Sequence, residues 1–157
     1  MEAAVMHSRD GVSTMKQQLL GMATALLVTG SAVASAATTQ AEVNETLRNT
    51  PEIYNGLFTA ALIKHVVDTC PNVSPPGRLA RVNYFLTLYN RARNMGYSRS
   101  QIEAFVEDKQ EQARLEGIVK AHLQREGVEP EDEASVCAYA SAQIAERSAL
   151  GRQLRER

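Results

Sequence analysis

No tryptophan occurs in this chain, aromatic residues make up 5% of it, and its formal net charge is −1. Few aromatics and no tryptophan argue against a stacking platform for single-stranded nucleic acid. A near-neutral balance gives no whole-molecule reason to bind nucleic acid or an anionic membrane. No CxxC pair, GxSxG elbow, glycine-rich phosphate loop, EF-hand loop or internal repeat is present, so the common redox, hydrolase, nucleotide and calcium motifs are missing. No stretch alternates apolar and polar residues with the Val, Ile and Thr enrichment of a sheet.

The chain does carry an export-type leader. From Met15 it reads MKQQLLGMATALLVTGSAVASA. Lys16 supplies a positive start, Leu19 to Val28 an apolar stretch, and Ala34-Ser35-Ala36 a small-x-small cleavage site, with Ala32-Val33-Ala34 as a competing one. The apolar run is short and broken by Thr and Gly, below the roughly 20 residues of a membrane span. No cysteine follows the site to accept a lipid. Glu2, Arg9 and Asp10 are poor leader composition, so Met15 reads as the true start. The expected organisation is a removable leader over 1–36, a flexible segment over 37–50 and one helical domain over 51–157, located in the periplasm after cleavage near Ala36-Ala37.

Cys70 and Cys137 are the only cysteines. In an oxidising compartment a lone pair is most simply one structural disulfide. A redox-active pair would sit close together with a depressed pKa; free thiols, or metal ligation with His65 or His122, lack the usual recurring ligand spacing. The bridge would enclose two helices whole and contribute about 4 kcal/mol by the chain-entropy account.

Punctuation divides the domain into four helices. Thr50-Pro51 resembles an N-cap with proline at the first helical position, opening a helix to Thr69 on which Ile53, Leu57, Ala61 and His65 form a stripe. Gly56 weakens its first turns. The second runs from about Gly77 to Asn94 with Leu79, Val82, Leu86, Tyr89 and Arg93 as its stripe and Phe85 beside it. Gly96-Tyr97 supplies a left-handed stop. Ser98-x-x-Gln101 is a capping box with a Tyr97–Ile102 staple, opening a third helix expected to run unbroken from Arg99 to Glu126, its Glu107–Gln112 stretch solvated. Pro130-Glu131-Asp132-Glu133 opens a fourth helix to Leu150. The fold class is all-α, a small four- to five-helix bundle stapled by Cys70–Cys137.

Candidate chemistry is sparse. His65 and Asp68 lie at i, i+3 and can share a helix face, the geometry of a small-ligand or metal site; an ordinary helical histidine beside a carboxylate is the plainer reading. The same holds for His122 and Glu126. Glu103, Glu107 and Glu111 recur every four residues, which most simply makes a charged outer face. Asn44-Glu45-Thr46 matches a glycosylation sequon. Basic residues gather at Arg78, Arg81, Arg91 and Arg93, and again at Arg147, Arg152, Arg155 and Arg157. The plainer reading is a solvated helix face for the first group and a frayed tail for the second; the first group is also the candidate contact with an acidic partner protein.

The order Asp68-Thr69-Cys70-Pro71, an Arg-rich second helix, Gly96-Tyr97-Ser98 leading to Asp108-Lys109, Gly127-Val128, then Ser135-Val136-Cys137 resembles a small family of exported alphaproteobacterial proteins catalogued as a domain of unknown function. The likeness covers about residues 56–151. It implies a bacterial periplasmic setting and brings with it no catalytic residue. The expectation is a non-enzymatic protein with no cofactor that binds another protein, as an accessory subunit on the periplasmic side of a membrane complex such as a respiratory one. Its rivals are a small-ligand or metal binder using His65 and Asp68, and an envelope-stress or chaperone-like protein.

Overall fold

The computed structural model describes residues 38–157; the leader, the alternative start and the cleavage site lie outside them. Six helices follow in order: α1 Gln40–Arg48, α2 Pro51–Thr69, α3 Arg78–Asn94, α4 Arg99–Glu107, α5 Lys109–Arg125 and α6 Glu133–Ala145. Two short strands, β1 Val73–Ser74 and β2 Arg155–Glu156, pair antiparallel, and a 3₁₀ turn at Gly151–Gln153 precedes β2. The fold is all-α with the expected disulfide. It has more helices than the expected four or five.

One extra helix comes from the segment expected to be flexible. Thr39 opens α1 with a reciprocal capping box: the Glu42 amide donates to Thr39 Oγ1 at 3.3 Å, and the Thr39 amide donates to the Glu42 carboxylate at 2.7 Å. Val43 and Leu47 are then fully buried, which supplies the tertiary support that a nine-residue helix lacks in isolation. The other extra helix comes from a break at Asp108, whose extended backbone (φ −63°, ψ 116°) ends α4 and caps α5. Asp108 Oδ1 accepts from the amides of Gln110 at 2.8 Å and Glu111 at 3.2 Å, so the expected continuous third helix is two.

Two apolar clusters share α2 as their spine. One gathers Leu62, Val66, Cys70, Val119, Leu123, Val136 and Ala140 around the disulfide; the other gathers Val43, Leu47, Ile53, Ala92, Ile102 and Phe105 at the opposite end. The stop at Gly96 and the capping box at Ser98 form as read, whereas Thr50 precedes α2 without a side-chain cap, its hydroxyl donating to the Thr46 carbonyl at 2.8 Å. Gly96 is left-handed (φ 94°), the Ser98 amide donates to Gln101 Oε1 at 2.8 Å, and the Gln101 amide returns to Ser98 Oγ at 3.2 Å.

Three further expectations need correction. The fourth helix ends at Ala145 rather than Leu150, because the chain turns at Arg147 (φ 52°) and doubles back. It returns so closely that a Cβ on Gly151 would lie 1.8 Å from the Gln143 carbonyl oxygen. The basic tail is not frayed: the Arg157 amide donates to the Asn72 carbonyl at 3.0 Å, and its guanidinium donates to Ser74 Oγ at 2.8 Å and the Pro71 carbonyl at 3.1 Å. These contacts flank the β1–β2 pair, in which Val73 stands opposite Glu156 and Ser74 opposite Arg155, where no sheet was expected.

Candidate docking face and trough

Cys70 and Cys137 are bonded with their Cα atoms 5.1 Å apart, and Cys70 is buried. The bridge joins the end of α2 to the first turns of α6, across 67 residues of sequence. With the β1–β2 pair, it anchors the Pro71–Gly77 connection from which α3 departs.

α3 packs against α2 through one stripe and exposes another. Tyr84 Oη donates to the Gly56 carbonyl at 2.9 Å, and Leu88 sits where a Cβ on Gly56 would approach it to 2.5 Å. Gly56 therefore admits α3 rather than weakening α2. One turn after Leu88, Ala92 is buried. Of the expected stripe only Tyr89 packs inward, partly buried against the second cluster; the Tyr84–Leu88–Ala92 stripe takes the place of Leu79, Val82 and Leu86. Those residues face outward with Phe85, at 73%, 46%, 49% and 49% exposure in chain order Leu79, Val82, Phe85, Leu86. Four large apolar side chains on one helix are left in water, each worth about 1.5–3 kcal/mol if fully buried. A contiguous exposed apolar patch marks an interaction site.

The arginines of α3 flank this face, and the helix contains no Asp or Glu. Arg91 pairs with Glu52 at 2.6 Å, and Arg93 donates to the Tyr97 carbonyl at 2.6 Å. Among the described residues Arg78 and Arg81 make no ion pair.

Between α3 and α5 a trough of about 940 Å³ opens over α2. Leu57 and Ala61 lie along its floor with Lys64 at the rim, Arg81, Tyr84 and Phe85 on the α3 wall, and Glu111, Leu115 and Glu116 on the α5 wall. His65 and Asp68 border it without acting together. His65 Nε2, facing a carbonyl that can only accept, donates to Pro130 at 2.9 Å, while Asp68 pairs with Lys64. His122 meets the Phe58 ring edge-on, centroids 5.2 Å apart. Among the described residues no three His, Cys, Asp or Glu side chains are grouped to hold a metal ion.

The polar framework of the α5 wall was missed in the sequence. Glu111, read as part of an outer face, has a side chain only 12% exposed and is gripped in two-point fashion by Arg48, with Arg114 Nε at 3.2 Å. The Arg48 hydrogen bond holds the Glu111 carboxyl below the ordinary range, against burial, which pushes it up. Lys120 bridges Glu116 at 2.9 Å and Glu131 at 2.8 Å; its hydrogen bonds lower both carboxyls and raise its own ammonium. Asn44, the sequon residue, is 7% exposed and bonded to Gln40 and Asp108. The Thr39-x-x-Glu42 and Asp108-x-x-Glu111 spacings were the available signals for this framework.

Residues 45–155 match the family of unknown function DUF5333. The chain belongs to that family. The DUF5333 match takes in both cysteines, α2 to α6 and the whole exposed face of α3. No curated protein and no solved structure matches the chain. No helix among the described residues of this DUF5333 protein is long and apolar enough to cross a membrane.

Proposed function

We propose that this protein is a non-enzymatic, exported partner-binding subunit. It works in the bacterial periplasm, docked on a membrane complex, with a respiratory complex as the specific version. The observation that carries the reading is the face of α3, where Leu79, Val82, Phe85 and Leu86 stand exposed beside Arg78 and Arg81, which make no ion pair among the described residues. A helix that keeps such a face in water gains by covering it with protein. The Cys70–Cys137 disulfide and the lack of a spanning helix among the described residues are compatible with export.

Three of the side chains weighed for chemistry already have partners. Asp68 is held by Lys64, His65 by the Pro130 carbonyl, and Glu111 by Arg48 and Arg114. This favours association over reaction. The leader, the periplasmic address and the respiratory version rest on the residue pattern of 15–36 and on fold-level analogy.

The test is purification of the tagged, processed protein from its own cells in mild detergent. One partner set at fixed stoichiometry is the expected result; recovery of the chain alone overturns the reading. The exposed α3 face also suits a chaperone-like binder, which the same experiment separates by yielding many unrelated clients at low occupancy.

A further inference from the structure

We propose that the trough between α3 and α5 receives a single amphipathic helix of the partner protein, apolar face down on α2 and carboxylate-bearing edge along α3. This rests on the partner-binding reading above and specifies what the partner presents. Shape is the first support. Leu57, Ala61, Lys64 and Asp68 share one face of α2 along the trough, and their eleven-residue rise of about 16 Å matches three turns of a docked helix. α3 and α5 both pack on α2 and leave the space between them open. A helix laid there completes ordinary side-by-side helix packing, in the groove-binding mode that amphipathic segments use.

Charge sets the orientation. On the α5 wall the carboxylates already have cations: Glu111 has Arg48 and Arg114, and Glu116 has Lys120. Lys64 and Asp68 match each other at the rim. Arg48 and Arg114 share the one Glu111 carboxylate, so that wall offers no free carboxylate, and Arg81 on the α3 wall faces the trough with no ion pair among the described residues, with Arg78 one turn before it. Complementary potential favours carboxylates on that edge of the occupant. A second copy docking α3 on α3 would set four arginines against four with no acidic residue between them. A lipid surface could meet the convex outer side of α3 but could not enter a trough with walls on both sides.

The test places p-benzoylphenylalanine at Phe85 of the tagged full chain in its own cells, with Arg125, exposed on α5, as the control position. The expected result is a covalent product from position 85 only. Its captured segment should have an apolar helical stripe with Asp or Glu at i, i+3 or i+4 along one edge. Arg81→Glu should lower its yield by about tenfold, and Arg81→Lys should largely preserve it. Both substitutions are at an exposed position, and unchanged thermal melts would verify that the fold survives. A product that is a second copy, a lipid or a segment without carboxylates overturns the proposal, as does a yield indifferent to Arg81→Glu. If the partner complex forms but position 85 captures nothing, the trough proposal fails and the partner-binding reading stands; if the chain is recovered alone, both fail.

Discussion

Asn44 Nδ2 on α1 donates to Asp108 Oδ2 at 3.1 Å, the residue at which the chain changes from α4 to α5. The same Asp108 carboxylate caps α5 through its other oxygen, and Gln40 Nε2 completes the junction by donating to Asn44 Oδ1 at 2.7 Å and to the Gln101 carbonyl at 3.0 Å. One short acid thus breaks a helix, starts the next and secures a third. Among the described residues no buried side-chain nitrogen or oxygen is left without a partner.

Asp108→Ala should destabilise the domain by about 2 kcal/mol, about half from the lost cap and half from a buried Asn44 left short of a partner. Denaturant unfolding of Asn44→Ala, Asp108→Ala and the double variant measures the coupling, expected at about 1 kcal/mol. Strict additivity would show that the two side chains act separately.

The ion pair between α1 and α5 should make stability acid-sensitive. Because Arg48 depresses the folded-state pKa of Glu111, the stabilisation is complete above the unfolded carboxyl value of about 4.3 and is lost as pH falls through the lower folded value. Glu111→Gln should cost about 2 kcal/mol at neutral pH and flatten the decline at acid pH. Urea melts across that range compare the two proteins; parallel curves would refute the assignment.

Two glycine substitutions should have opposite signs. Gly151→Ala would drive a methyl into the Gln143 backbone, which cannot move aside as a flexible side chain can, at a cost of about 1–3 kcal/mol. Gly117→Ala, inside α5 with nothing near its would-be Cβ, should gain up to about 1 kcal/mol of helix propensity. Thermal melts of both read the signs directly.

Replacing Cys70 and Cys137 together by alanine, or reducing the bridge, releases a constraint over 67 residues and should lower stability by about 4 kcal/mol. Thermal melting with and without reductant measures it, and the double variant should show no further response to reductant.

What could be read in the sequence was local. Ser98 with Gln101, Gly96 with Tyr97, and Thr50 before Pro51 each define a boundary within a few residues, and each lies where expected. The cysteine pairing was legible because only two are present. α3 was not, because it carries two apolar stripes and the deciding residue, Gly56, sits on another helix. Asp108 was hidden inside a run of charged residues, although its spacing to Glu111 repeats the cap pattern seen at Thr39 and Glu42. The trough depends on how three helices splay, and no local pattern encodes that.

The covalent clasp lies in one of the two apolar clusters, and α1 with α4 closes the other by side-chain contacts alone. Amide hydrogens near Val66 and Leu123 should consequently exchange only on global unfolding, whereas those of α1 and α4 exchange sooner through partial opening. The lip of the trough formed by Phe105 and Val106 belongs to this looser half, so an arriving helix can widen its berth without disturbing the sulfur-bridged half.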